Sequence, residues 1–209
     1  MTYTGEQLRR ALLFVALDEH ETTVRSQGEE DRITEYFHRC GWQWALNETA
    51  GGRYSEEARR RRPDLLNWCG LFPAWCGLHV GLYLEPGQCV PVRLRHGVAQ
   101  RVLPSTYRAQ SPDKWADAGI APPAQVPHDE IAPGDIVTVV TGSGKPYGDH
   151  FAIVVDVSRD GAWIDTVEGN ATGELGDGEV GRGVVTKVRS LADVVRVYRF
   201  DERHFEGAQ

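Results

Sequence analysis

The residue pattern predicts an α+β protein, with N-terminal helices packed on a C-terminal antiparallel sheet of about five strands. Three observations predict it. Up to about residue 84, apolar residues recur at the spacing of one helix face. At Pro133-Gly134 the pattern changes to short runs rich in Val, Ile and Thr, bounded by Gly and Asp, which is strand composition. Helices first and strands second differs from the alternation that builds a parallel sheet, so the strands are expected to pair antiparallel.

The elements follow in order. Thr4-Gly5-Glu6-Gln7 reads as a capping box, and Leu8, Leu12 and Val15 give the helix behind it one apolar face. A second helix carries Ile33, Tyr36, Phe37 and Cys40, with Gly41 as its stop. Ser55 caps a short third helix over residues 56–62, which Pro63 ends. A fourth is expected over 70–83. Pro73 belongs in its first turn, where a missing N–H breaks no intrahelical bond, and this sets the helix start near Cys69. Residues 85–133 have a weak pattern rich in Pro and Gly, with one short helix around 114–118. Strands are expected at 135–140, 151–157, 162–167, 184–188 and 194–200, with a turn-rich loop over 141–148 and a glycine-rich acidic loop over 169–183. No linker divides the chain and no repeat is visible. Residues 1–209 therefore read as one domain: a helical half over about 4–84, a connecting region over 85–133 and a strand half over 134–200.

Composition narrows the function. The formal charge of -7 argues against a general nucleic-acid binder, and Arg59 to Arg62 read as a solvated helix face. No apolar stretch approaches the ~20 residues of a membrane helix. Residues 8–17 are followed by Asp18-Glu19-His20-Glu21 instead of a small-residue cleavage site, so they read as a buried helix. Synthesis in the cytoplasm and delivery by a route without such a leader are expected. Cys40, Cys69, Cys76 and Cys89 show neither a disulfide-dense framework nor CxxC spacing, and a Cys40–Cys89 bridge would matter only after export to an oxidising compartment. The remaining histidines form no HExxH or paired spacing, so neither a metal nor a cofactor is expected. Gly142-Ser143-Gly144-Lys145 lacks the Ser/Thr of a phosphate loop, and Glu174, Asp177 and Glu179 miss the spacing of a calcium loop.

One constellation carries chemistry. Cysteine attacks as a thiolate, which the positive end of a helix dipole favours, and Cys69 stands at the expected helix start, whereas Cys76 lies two turns inside. His150 opens a strand and Glu168-Gly169-Asn170 closes the next, and antiparallel pairing brings such positions together. Cys, His, then a carboxylate or amide is the order of papain-like nucleophilic catalysis. His150 would exchange the Cys69 proton, Glu168 would hold the imidazole, and Asn170 would assist or replace Glu168. Trp68 and Asp149 flank the pair and are candidates for substrate contact. The alternatives are packing for Trp68, and tuning of His150 or exposure to solvent for Asp149.

In these residues the chain resembles the CHAP domains, the cysteine- and histidine-dependent amidohydrolases/peptidases of the NlpC/P60 superfamily. Trp68-Cys69-Gly70-Leu71-Phe72 with Trp75 is similar to the nucleophile motif, and Pro133-Gly134-Asp135-Ile136-Val137 to the strand before the histidine. His150-Phe151-Ala152-Ile153-Val154, Val167-Glu168-Gly169-Asn170 and Val197-Tyr198-Arg199-Phe200 resemble the rest of the strand half. Three positions depart from the family pattern: Pro73 in place of a Val-like residue, Asp149 in place of a glycine, and the acidic, glycine-rich segment after Asn170. The resemblance implies a papain-like NlpC/P60 fold and hydrolysis of a peptidoglycan amide, either the muramoyl–L-alanine link or a bond of the stem or cross-bridge peptide. Two settings fit: an antibacterial effector, with a cognate immunity protein plugging the cleft, or a phage lysis or tail enzyme. The alternatives are a cysteine peptidase or deamidase acting on a protein, and a degenerate CHAP-like domain used only for binding.

Overall fold

The computed structural model of the protein describes residues 2–47, 54–84, 92–141 and 148–208. Cys89 and the Gly142-Ser143-Gly144-Lys145 run lie outside the described residues. Helix α1 (Gly5–Glu21) opens with both arms of the capping box: the Thr4 N–H donates to Gln7 Oε1 at 2.9 Å, and the Gln7 N–H to Thr4 Oγ1 at 3.3 Å. Its face of Leu8, Leu12 and Val15 is buried. Helix α2 (Glu30–Arg39) ends just before Gly41, whose φ of 70° only glycine adopts freely. Helix α3 (Trp44–Asn47) leads to α4 (Glu56–Arg61), where Ser55 Oγ accepts from the Ala58 N–H at 3.1 Å. The basic run on α4 is not wholly solvated. Arg60 and Arg61 pair with Glu56 and Glu57 one turn back, but Arg59 is buried.

Helix α5 (Leu71–Leu78) starts where Pro73 places it, yet stops short of residue 83. The His79 ring sets its Nδ1 2.8 Å from the Trp75 carbonyl, the acceptor that an α-helical His79 amide would use. That amide turns instead to Cys76, and the chain tightens into a 3₁₀ turn over Val80–Leu82. Short helices α6 (Thr106–Ala109) and α7 (Pro112–Asp117) complete the helical layer.

The strands are β1 (Arg93–Leu94), β2 (Ala124–Gln125), β3 (Ile136–Val139), β4 (His150–Val157), β5 (Trp163–Glu174), β6 (Val180–Ser190), β7 (Val194–Arg199) and β8 (Phe205–Glu206). Six form one antiparallel sheet in the order β2-β7-β3-β4-β5-β6, while β1 pairs with β8. The α+β class expected from the residue pattern holds, with one strand more in the sheet. The segment 169–183 is not a loop. Strand β5 runs on to Glu174 and β6 begins at Val180, so only the hairpin tip remains between them. The glycines that suggested a loop permit close approach instead. A side chain on Gly183 would enter the Val24 carbonyl, and one on Gly176 the His20 carbonyl, so the hairpin lies tight against the segment leaving α1.

The two faces of the sheet bury different residues. Phe151, Ile153, Val167 and Tyr198 join the helical core with Leu12, Tyr36, Trp68 and Phe72. Ala152, Val154, Ile164 and Val197 form a second cluster on the other side. Asp135, in the Pro-Gly-Asp corner before β3, is fully buried and accepts both arms of the Arg199 guanidinium at 3.0 and 2.7 Å. Gly134 beside it has φ 83° and leaves room for the Arg9 carbonyl of α1. The corner thus ties α1, β3 and β7 together, and positions the strand from which the chain leads to β4.

Candidate active site

Alternation along β4 puts His150 on the side of Ala152 and Val154, and alternation along β5 puts Glu168 on the side of Ile164. Ile153 pairs with Val167, so the two side chains stand on one face as diagonal neighbours. His150 Nε2 lies 3.0 Å from Glu168 Oε2. The ring N–H is not aimed squarely at that oxygen, so the contact acts by charge more than as a straight hydrogen bond. Nδ1 is left as the ring nitrogen for sulfur.

Cys69 reaches the same place from the helical layer. Its neighbour Trp68 starts the turn into α5, accepting from the Leu71 and Phe72 amides. A Cβ on Gly169 would fall 2.7 Å from Trp68 Cζ3 and nearer still to Phe72, so the bare glycine seats the start of α5 directly on β5. Gly70 plays the same part on the other side, where a Cβ would lie 2.8 Å from the Pro104 carbonyl carbon. Sulfur and imidazole therefore meet at the opening of β4, both buried. Burial pushes the His150 pKa down, but the contacts with Cys69 and then Glu168 outweigh it and raise it to about 9. For Glu168, burial pushes upward, but Arg189 and then His150 win and hold it down at about 2. The site is built to keep an imidazolium beside a carboxylate at neutral pH.

Two further residues complete the carboxylate's surroundings. Arg189 of β6 donates to both Glu168 oxygens at 2.7 and 2.6 Å, and Thr166 Oγ1 donates to Oε1 at 2.8 Å. Sequence reasoning missed Arg189. Its position opposite Ile164 follows only from the register of the β5–β6 hairpin, most of which the glycines had disguised as a loop.

The other expected site residues divide. Asn170 sits at a bulge with φ 60°, donates from Nδ2 to the Leu66 carbonyl at 3.3 Å and accepts from Arg182 at 2.8 Å. These bonds tie β5 to the chain before Cys69. Trp68 is fully buried against Tyr36, with ring centroids 5.6 Å apart, and cannot offer a face to substrate. Packing into the space opened by Gly169 is the reason. Asp149 accepts from the Thr141 N–H at 2.9 Å and from its hydroxyl at 2.7 Å, so its carboxylate ties the start of β4 to the residue that follows Val140. Its charge is felt at Arg189, not among the main influences on His150. Cys40 and Cys76 are free thiols in the core, and burial raises the pKa of each.

His150 lines a cleft of about 490 Å³ together with Asn170, Thr172, Lys187, Arg189 and Asp193. Among the described residues no group of His, Cys, Asp and Glu could hold a metal ion, and no helix is long and apolar enough to cross a membrane. The family model for the CHAP domain matches residues 61–170, from the end of α4 to the Glu168-Gly169-Asn170 segment. No curated protein and no solved structure matches the chain.

Proposed function

From the premise that the chain belongs to the CHAP-domain family, whose members are generally hydrolases, we propose that it is a cysteine amidohydrolase that opens an amide bond of bacterial peptidoglycan. The observation that carries the reading is the convergence of Cys69, His150 and Glu168 at one strand end, from segments far apart in the chain. The Cys69 thiolate attacks the carbonyl carbon of the amide, and the Cys69 backbone N–H faces the oxyanion that forms. The carbon–nitrogen bond breaks as the His150 imidazolium gives its proton to the departing amine, leaving a thioester on Cys69. His150, now neutral, takes a proton from water, whose oxygen displaces the thiol to release a carboxylate. Glu168 keeps the ring turned toward sulfur and stabilises its charged form, and Arg189 and Thr166 keep Glu168 ionised and still.

Peptidoglycan lies outside the cytoplasmic membrane, so the place of action is the periplasm or beyond. Delivery into competing cells would call for an immunity protein that covers the cleft in the producer. Incubation with purified peptidoglycan, followed by mass spectrometry of released fragments, tests the reading. Wild type should release new amine and carboxylate ends, and Cys69→Ala should lower the rate by at least about a thousandfold. Intact wall fragments with wild type, alongside cleavage of a protein, would overturn it.

A further inference from the structure

The cleft beside His150 is electrically lopsided. Lys187 and Arg189 stand two residues apart on β6 and line the same wall. Arg189 is occupied by Glu168 through two hydrogen bonds. Lys187 is half-buried and has no carboxylate partner among the described residues. Its stem crosses Gly173, where a Cβ would fall 2.9 Å from Lys187 Cγ, so this glycine lets the side chain lie low along the cleft instead of standing into solvent. Thr172 stands on the same lining. The cleft's lining acid, Asp193, belongs to the segment between β6 and β7, and its charge is felt at Arg189. The cleft thus presents in Lys187 a cation that no ion pair among the described residues neutralises.

We infer that Lys187 forms a subsite for a carboxylate of the substrate, so that the enzyme selects peptide amides carrying a free acid beside the bond it opens. The inference rests on the reading of the site as a peptidoglycan amidohydrolase and names a chemical feature of the substrate within it. A carboxylate held there gains a charge-assisted hydrogen bond from Lys187, and a carboxamide of the same shape cannot match it. Lys187 touches none of the reacting atoms. It is a specificity residue and acts through binding.

The experiment uses two synthetic stem-type peptides that differ only in one group, a free carboxylate or its carboxamide. Calorimetry on the Cys69→Ala protein reads binding without turnover, and wild-type kinetics on the same pair reads cleavage. The carboxylate peptide should bind roughly tenfold tighter, a gap that shrinks with added salt. Lys187→Gln should erase the gap by raising KM for the acid, with kcat and the thermal midpoint unmoved, and Lys187→Arg should restore most of it. Equal binding of the two peptides, or binding of neither, overturns the carboxylate subsite. Discrimination in binding without cleavage of either peptide leaves the subsite standing and counts against the amidohydrolase reading.

Discussion

At the scale of single residues, the site is an arrangement of charges whose members hold one another's ionisation. His150 in the folded protein titrates at about 9, above the ordinary value of ~6.5. Its proton therefore favours the folded state: the contribution is full below ~6.5 and is lost as pH rises through about 9. Glu168 runs the other way. With a folded pKa of about 2, it contributes fully above ~4.3 and loses that contribution as pH falls through about 2. Glu168→Gln removes one support of the imidazolium, so the His150 ring, followed by NMR, should titrate lower by about one unit or more. The same change leaves the largely buried Arg189 without its carboxylate and should destabilise the protein by about 3–5 kcal/mol in urea unfolding. Adding Arg189→Met should recover part of that stability and none of the activity. Recovery of both would show that Glu168 serves only to neutralise Arg189.

At the scale of elements, glycine decides where the nucleophile stands. Glu168-Gly169-Asn170 reads in sequence as two chemical residues around a spacer, but the spacer is the seat of α5. Gly169→Ala should cost roughly 1–3 kcal/mol through overpacking against Trp68 and Phe72, and should lower the rate of Cys69 alkylation by iodoacetamide as the helix start is pushed off β5. An unchanged alkylation rate would mean that Cys69 is placed by Gly70 and the chain before it. Helix α5 also shows why its far end was not legible. Its apolar spacing continues past Leu78, and the stop is a side chain, His79, engaging the Trp75 carbonyl, which periodicity does not reveal.

At the scale of the whole molecule, helices and sheet share a core. Leu12, Tyr36, Trp68 and Phe72 pack in one cluster with Phe151, Ile153 and Tyr198. Buried Glu19 of α1 accepts from Arg32 of α2 at 2.6 and 2.5 Å and from the Tyr36 hydroxyl at 2.5 Å, which locks the helical layer from within. Helical and strand halves should therefore unfold in one transition, with circular dichroism and tryptophan fluorescence giving coincident curves in urea. Separate midpoints would divide the chain into two cooperative units.

Much of this protein was legible in order along the chain, because the signals are local. Thr4 with Gln7, Ser55, Gly41 and Pro73 act within a turn of where they stand, and the spacing of apolar residues reports which face is buried. The residue types of the site, Cys69, His150 and Glu168, were legible for the same reason, since each marks the edge of a predicted element. Their meeting was not local. It depends on β4 and β5 lying side by side, on a missing side chain at Gly169, and on a hairpin long enough to bring Arg189 back to Glu168. Nor could composition tell a buried Trp68 from an exposed one, or a glycine that loosens a loop from one that lets two backbones touch. Chemical identity is written residue by residue, whereas proximity and burial arise only when distant segments compete for the same space.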